Sequence, residues 1–121
     1  MKTRFLLLFL MLSVAAQGAR AELPRRAFLG TQLYTVNDSI ARQYELPEVR
    51  GALIGAVVEG SSARAAGLKA GDIIISVSGE PVFRHEDVLS LIGRLRAGDE
   101  AVIGFYRDGE LHIYNAVLTA L

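Results

Sequence analysis

Residues 66–74 read Ala-Gly-Leu-Lys-Ala-Gly-Asp-Ile-Ile, and the two glycines mark a change from helix to strand. The preceding residues, Ser62–Ala66, predict one helical turn, which the first glycine stops. The apolar run after the second glycine predicts a strand over Asp72–Val77, which turns at Ser78-Gly79. Helix and strand therefore follow one another closely at the centre of this sequence.

Strand patterns also lie upstream of this centre. Residues Phe28–Val36 are rich in β-branched and aromatic side chains and predict a strand, and Gly51–Val58 predict a second one. Between them, Asn37-Asp38 supply residue types that cap helix N-termini, so we expect a short helix there, ended by Leu46-Pro47.

Downstream, Asp108-Gly109 lies between the apolar stretches Ala101–Tyr106 and Leu111–Leu118, which predicts a tight β-hairpin. The one long helix is expected between Pro81 and Gly98. Neither an internal repeat nor a linker interrupts the pattern. The sequence therefore predicts a single α+β domain of short strands with one short and one long helix.

The composition excludes several classes of function. The 13 basic side chains balance 13 acidic ones, so the basic footprint that nucleic-acid binding needs is missing. There is no cysteine, which excludes disulfides, thiolate chemistry and thiolate-bound metals. With two histidines in the chain, we expect no metal site and no cofactor.

The first 21 residues predict a secretory signal peptide. Met1–Arg4 is short and positive, Phe5–Ala16 is an apolar run of twelve, and Ala19-Arg20-Ala21 fits the small-residue cleavage pattern. A run of twelve is shorter than the roughly 20 apolar residues that cross a bilayer, so we expect no membrane anchor after cleavage.

Cleavage is expected between Ala21 and Glu22, with an earlier cut after Ala16 or Gly18 as the alternative. Residues 22–26 then form a short lead-in, and residues 27–121 form the single domain. The exported chain loses three basic residues and keeps 10 basic and 13 acidic side chains, a formal charge of −3. The expected location is periplasmic or secreted.

The long helix has more apolar surface than docking requires. At 100° per residue its apolar arc is about 160° wide, whereas a surface helix needs roughly 100°. One part of the arc is a sufficient core stripe: Val88, Leu91 and Leu95. The remaining edge is predicted to line one wall of a groove: His85, Leu89 and Ile92. The alternative is a deeply buried helix whose whole arc is core.

The residues before the first strand offer a second wall. Gly30, within Phe28-Leu29-Gly30-Thr31, permits a tight loop whose successive backbone N–H groups point at one spot, and such a nest binds anions such as a carboxylate. Arg25 and Arg26 would add positive potential. An ordinary turn glycine is the alternative.

Four segments follow one another in a recognisable order: Arg26–Thr31, Leu46–Ile54, Val58–Ile74 and Ser76–Gly79. Together they resemble a PDZ domain, and the likeness is closest to the PDZ domains of bacterial HtrA-type (DegP-like) serine proteases. The Ala-Gly-Leu-Lys-Ala-Gly-Asp-Ile-Ile stretch is the most specific part. The resemblance covers residues 26–119 and implies a PDZ-like, partly open small β-barrel or sandwich of five to six short strands capped by the two helices.

The resemblance also implies a site. PDZ domains bind the C-terminal end of a partner as an added strand between one strand and one helix. The family's carboxylate loop falls on Leu29-Gly30-Thr31, and Gln32 and Leu33 would pair with the peptide backbone. The helix positions that face the peptide fall on the predicted groove edge. The implied peptide-binding residues are Arg26, Phe28, Leu29, Gly30, Thr31, Gln32, Leu33, His85, Leu89 and Ile92. His85 matches the position that often receives a Ser or Thr hydroxyl two residues before the ligand's C-terminus.

Two residues depart from the family pattern. Thr31 replaces the usual large apolar residue after the loop glycine, so the pocket for the last ligand side chain is expected to be shallower or partly polar. Arg84 replaces the usual Ser or Thr cap of the long helix, so its first turn is expected to fray.

Nothing in the sequence supports catalysis. No Gly-x-Ser-x-Gly or Gly-Asp-Ser-Gly run is present. Since the predicted signal peptide leads straight into the PDZ-like region, we expect no protease domain before it. Glu86 and Asp87 diverge by 100° on a helix and read as a solvated face, and Asp72 reads as a turn residue opening a strand.

We therefore expect a stand-alone, non-enzymatic, exported PDZ domain that binds protein C-termini or extended peptides, as an adaptor, sensor or regulator in envelope protein quality control. The expected partners include a separate protease or an envelope complex, and exclude nucleic acid. The alternatives are a structural or assembly module whose groove or sheet edge holds a fixed subunit, and a non-catalytic remnant of an HtrA-type protease.

Overall fold

Eleven short elements make up residues 27–120, which are the residues that the computed structural model describes. The eight strands are β1 Ala27–Phe28, β2 Thr31–Thr35, β3 Ala52–Val57, β4 Ile73–Val77, β5 Glu80–Pro81, β6 Glu100–Arg107, β7 Glu110–Val117 and β8 Thr119–Ala120. The three helices are α1 Asp38–Gln43, α2 Ser62–Ala66 and α3 His85–Gly93. The predicted signal peptide, the lead-in and Arg26 lie outside the described residues.

The sheet is antiparallel throughout and does not close into a barrel. Its strand order is β2-β3-β4-β6-β7, with β5 paired to β4, so β2 and β7 are its two edges. The remaining strands, β1 and β8, pair with each other in a separate two-stranded sheet. The open α+β architecture expected from the sequence is confirmed.

The predicted first strand, Phe28–Val36, is wrong as a single element. It breaks at Leu29-Gly30 into β1, which pairs with β8, and β2, which pairs with β3. Gly30 has φ of +88°. A Cβ added at Gly30 would overlap the Ser61 side chain. The chain turns sharply there because only glycine combines this conformation with so close an approach.

The three helices follow from local capping. The Asn37 side chain accepts a 2.8 Å hydrogen bond from the Ile40 N–H at the start of α1. Ser61 accepts one of 3.2 Å from the Arg64 N–H at the start of α2, which ends at Gly67 with φ of +94°. These two short helices confirm the predicted ones. The long helix α3 lies within the predicted interval between Pro81 and Gly98 but is shorter than that interval, with nine residues.

Two clusters of apolar side chains fill the space between sheet and helices. The larger is built around Ile54, Ile103 and Phe105, all fully buried, and includes Val88 of α3. The smaller lies beneath α1 and contains Val36, Ala41 and Ile73. The β6–β7 hairpin closes through Asp108 and Gly109, with φ of +52° and +79°, the type I′ turn that its Asp-Gly sequence predicts.

Asp72 opens β4 and is also a buried ionic partner. Its side chain accepts 2.8 Å and 2.7 Å hydrogen bonds from Arg107 and a 2.8 Å bond from the Lys69 N–H. Arg107 also donates to the Gly67 carbonyl, at 2.9 Å. The hydrogen bonds with Asp72 raise the pKa of Arg107. No buried polar side-chain atom of the described residues lacks a hydrogen-bond partner, which suits a structural role for this pair.

Candidate functional site: a groove between β2 and α3

A groove runs between the edge strand β2 and helix α3. It encloses about 290 Å³. Seven of the ten sequence-predicted site residues line it: Phe28, Leu29, Gly30, Thr31, Leu33, Leu89 and Ile92. Ala27, Val88 and Gly93 line it as well, and were not predicted as site residues. The predicted loop and the predicted helix edge, about 60 residues apart in sequence, are thus brought together.

The loop at one end of the groove is held by its carbonyl groups. The Phe28 carbonyl accepts from the Ser62 hydroxyl at 2.7 Å, the Leu29 carbonyl from the Ala63 N–H at 2.9 Å, and the Gly30 carbonyl from the Val58 N–H at 2.9 Å. In a trans peptide unit the N–H points opposite to the C=O, and none of the described peptide bonds is cis.

This arrangement orients three consecutive N–H groups. The carbonyls of the peptide units that carry the Leu29 and Gly30 N–H groups are bound to α2, and that of the Thr31 unit is bound to Val58, which follows β3. Each of the three N–H groups therefore points away from the partner of its own carbonyl. No residue of α2 lines the groove, whereas all three of these loop residues do. Such a row of N–H groups around a left-handed glycine is a nest suited to a carboxylate.

Helix α3 contributes exposed and buried apolar side chains to the opposite wall. Leu89 is 62% exposed, which contradicts the alternative that the whole apolar arc is core. Ile92, predicted as groove edge alone, is only 5% exposed and belongs to the main core while reaching the groove. The predicted core stripe is confirmed, since Val88 is buried in the main core and the half-buried Leu91 and Leu95 pack against it, and Ile92 adds to it.

His85 lies where α3 begins and contacts the end of β2 rather than the groove lining. Its Nδ1 lies 2.7 Å from the Thr35 hydroxyl and 2.8 Å from the Glu86 carboxylate. The Thr35 hydroxyl also accepts from the His85 backbone N–H, at 3.1 Å. His85 and Thr35 thus join the two walls at the end of the groove remote from Gly30.

Gln32 and Arg26 complete the predicted set. Gln32 is exposed on β2, where it pairs with Ala56, and a register irregularity separates it from Leu33. Its side chain does not line the groove. Arg26 lies outside the described residues.

Arg84 provides no side-chain cap for α3, as expected, and other residues bind the backbone where this helix starts. The Asp87 carboxylate accepts backbone N–H bonds from Phe83 at 2.8 Å and from Arg84 at 3.0 Å. Thr35 binds the next N–H, that of His85. The two backbone hydrogen bonds hold the pKa of Asp87 below its usual range. Asp87 from within the helix and Thr35 from β2 therefore both hold the start of α3 in place.

Sequence reasoning missed the role of Thr35. It lies on the predicted strand, but its contact with a residue 50 positions later depends on the tertiary fold. No local signal in the sequence marks it.

The groove combines backbone N–H donors at one end with apolar side chains along its walls. Within residues 27–120, no three His, Asp or Glu side chains are grouped so that they could hold a metal ion. The helices in the same range have five to nine residues, and none could cross a membrane. A larger depression, of about 520 Å³, lies beside the Asp72–Arg107 pair, but these charged groups already satisfy one another.

The sequence matches known proteins over this same region. The family model for the PDZ domain matches residues 27–116. A probable periplasmic DegP-like serine endoprotease of Pseudomonas savastanoi pv. phaseolicola is 34% identical over 96 residues, which are 79% of this chain and 20% of the relative. A relative of the same description from Pseudomonas putida is 32% identical over 96 residues. The chain thus spans about a fifth of the length of these curated relatives.

The fold matches solved structures at lower sequence identity. The HtrA-type protease AlgW, solved with a decapeptide, superposes with a TM-score of 0.71 at 22% identity, over 78% of this chain and 29% of that one. The HtrA3 PDZ domain, bound to a phage-derived ligand, superposes with a TM-score of 0.66 at 18% identity, over 77% and 85% of the two chains. The fold inferred from the sequence is confirmed by both.

Proposed function

Since the chain belongs to the PDZ domain family, we propose that its groove binds the C-terminal end of a partner protein, or an extended segment, as a strand added beside β2. The observation that carries this proposal is the nest at Leu29–Thr31, which stands at one end of an apolar groove next to β2, an edge strand of the sheet that residues 27–120 form. A terminal carboxylate satisfies the nest while the preceding backbone pairs with β2.

The ligand's last side chain then lies among Thr31, Leu33, Leu89 and Ile92. Leu89 supports this position, because a leucine that is 62% exposed gains hydrophobic stabilisation when a ligand covers it. Thr31 makes this pocket partly polar. Gln32 and Leu33 offer backbone groups to the peptide, and Arg26 would add positive charge near the carboxylate. Affinity is expected to be micromolar, about −8 kcal/mol.

The relatives support the kind of ligand. One solved neighbour is an HtrA-type protease with a decapeptide and another is a PDZ domain with a phage-derived ligand. We extend from them to this chain only the class of ligand, a peptide.

We further propose that the chain acts in the periplasm as an adaptor, sensor or regulator, and not as an enzyme. The amino-terminal pattern of a signal peptide and the periplasmic description of the relatives support the location. The partner would be a separate protease or an envelope complex that exposes the recognised terminus.

The test is binding of the purified protein to a random library of peptides with free C-termini, repeated with the same peptides amidated. We expect enrichment of an apolar last residue that is lost on amidation, since an amide carries no negative charge for the nest. Equal binding of the amidated peptides contradicts carboxylate capture. The absence of any enrichment by the folded protein contradicts the proposal as a whole.

A further inference from the structure

A second interaction surface lies at the opposite edge of the sheet from the groove. We propose that the protein forms a symmetric dimer in which the β7 strands of two copies pair antiparallel across a two-fold axis at Tyr114. This inference does not depend on peptide binding. It rests on the exposure, the composition and the register of β7.

Strand β7 presents a long edge. It has eight residues, pairs with β6 on one side and, within the described residues, has no strand on the other. Helix α2 lies close to β7, and Gly67, which ends that helix, lies beside the half-buried Tyr114. The outer face carries three apolar side chains, each more than half exposed: Leu111, Ile113 and Val117. Val102 extends this patch onto β6.

Sequence protections that are common at a sheet edge are missing from β7. Edge strands of monomeric proteins are commonly short, bulged, or interrupted by lysine or proline, which discourages pairing with another chain. Residues 110–117 contain no lysine, arginine, proline or glycine, and their single carboxylate, that of Glu110, lies at the first position. The pairing of β7 with β6 continues without a bulge over all eight residues.

The β6–β7 turn determines which backbone groups of β7 are free. In this two-residue hairpin, Arg107 and Glu110 flank the turn and form a hydrogen-bonded pair. Hydrogen-bonded and non-hydrogen-bonded pairs alternate along an antiparallel ladder. The even-numbered residues of β7 therefore bond to β6, and the odd-numbered ones, from Leu111 to Val117, turn their N–H and C=O groups to the free edge.

A two-fold axis at Tyr114 makes this edge complementary to itself. It places Leu111 opposite Val117 of the second copy, and Ile113 opposite Asn115. All four positions are odd-numbered, so the two residues of each pair can exchange two backbone hydrogen bonds. The two-fold axis repeats both pairs, and the four pairs form about eight hydrogen bonds in total. An axis at Ile113 would instead leave Val117 opposite the turn, with fewer pairs and less apolar contact.

The size of this interface predicts a weak, concentration-dependent dimer. One strand pair and a few exposed side chains bury less than the roughly 800 Å² per partner of a standard interface. Because β2 lies at the other edge of the sheet, both peptide grooves stay open in the dimer. The dimer would therefore be bivalent, and a partner with two accessible termini would bind it more tightly than either groove alone.

Disulfide trapping tests the register, since the chain has no native cysteine. The double variant Ile113→Cys/Asn115→Cys is expected to form a covalent dimer under mild oxidation, because these positions face each other across the axis. Neither single variant should form a covalent dimer, since the two copies of one position lie diagonally across the axis, about 7–8 Å apart and beyond disulfide reach. Efficient cross-linking of the Ile113→Cys single variant overturns the axis at Tyr114.

Two controls distinguish specific pairing of the β7 strands from random cross-linking of exposed thiols and from a general effect of substitution on the fold. The double variant Val49→Cys/Val58→Cys carries two exposed thiols away from β7 and should not cross-link. In sedimentation equilibrium, the mass of the unmodified protein should rise towards twice the monomer mass with concentration, and that of Ile113→Lys should not. Val49→Lys, which adds the same charge elsewhere, should dimerise normally. A protein that stays monomeric at all concentrations, with trapping no greater than that of the control, overturns the proposal.

Discussion

The Arg107 guanidinium holds the Asp72 carboxylate through two hydrogen bonds, from Nε at 2.8 Å and from Nη2 at 2.7 Å, where Asp72 is only 1% exposed. The same guanidinium lies 5.2 Å from the centroid of the Phe105 ring and 5.6 Å from that of Tyr114. This pair ties the end of β6 to the loop that precedes β4, so the most family-specific stretch of the sequence is fixed by a residue 35 positions away.

Arg107→Ala is expected to destabilise the domain by about 3–5 kcal/mol, since it leaves a buried carboxylate without its partner. Urea unfolding followed by circular dichroism measures this loss. Arg107→Lys keeps the charge but not the two-pronged geometry and should give an intermediate value. If Arg107→Ala unfolds at the same urea concentration as the parent protein, the pair contributes nothing to stability.

We expect the contribution of Asp87 to the stability of the α3 start to be lost in acid. Because its pKa in the folded protein lies below the ordinary aspartate value, its contribution to stability is complete above the unfolded pKa, about 3.9, and is lost as pH falls through the folded pKa. The difference in free energy of unfolding between the parent and Asp87→Asn should be constant from neutral pH to about 5 and shrink below about 4. A difference that does not change with pH would contradict this role of the charge.

Substitutions at the neighbouring residues Val88 and Leu89 test which face of α3 is core and which faces the groove. Leu89→Asp should abolish peptide binding while the protein unfolds at nearly the parent's temperature, since the side chain is largely exposed. Val88→Asp should unfold the domain, because it places an unpaired charge at a site that is 1% exposed. Circular dichroism and peptide titration of both variants provide the readout. Unfolding of Leu89→Asp would show that this helix edge is core.

Two glycines with similar backbone conformations test the carboxylate loop. Gly30 and Gly60 have φ of +88° and +73°, but an added Cβ meets Ser61 at Gly30 and nothing within 4 Å at Gly60. Gly60→Ala should therefore cost only the left-handed strain, about 1–2 kcal/mol, and keep peptide binding. Gly30→Ala should cost more and weaken binding as the loop shifts. Thermal unfolding and peptide titration are the measurements, and equal effects of the two substitutions would argue against a special role for the loop.

Local signals made most elements predictable. Asn37, Ser61 and Gly67 are helix caps that act within four residues, and Asp108-Gly109 sets its own turn, so the sequence alone locates α1, α2 and the hairpin. The resemblance to the PDZ family, over residues 26–119, also predicts the groove loop and the helix edge. Seven of the predicted site residues line the groove in the structure.

Features that depend on distant contacts were not predictable in the same way. The break at Gly30 follows from Ser61 and from the pairing of β1 with β8, which lie at opposite ends of the described chain. The satisfied start of α3 depends on Thr35, and the burial of Ile92 depends on where the helix sits over the core. Helical periodicity gives the width of an apolar face but not its rotation relative to a sheet.

The pairing of β1 with β8 brings the two ends of the described chain side by side, with Ala27 directly opposite Ala120. A few linking residues could therefore join these ends, and the chain could be reopened at the exposed Asp108-Gly109 turn as a circular permutant with the same contacts. Because its two ends lie side by side, the domain could also be inserted into a surface loop of a host protein without distorting the domain or the host. It has the geometry of an insertable domain.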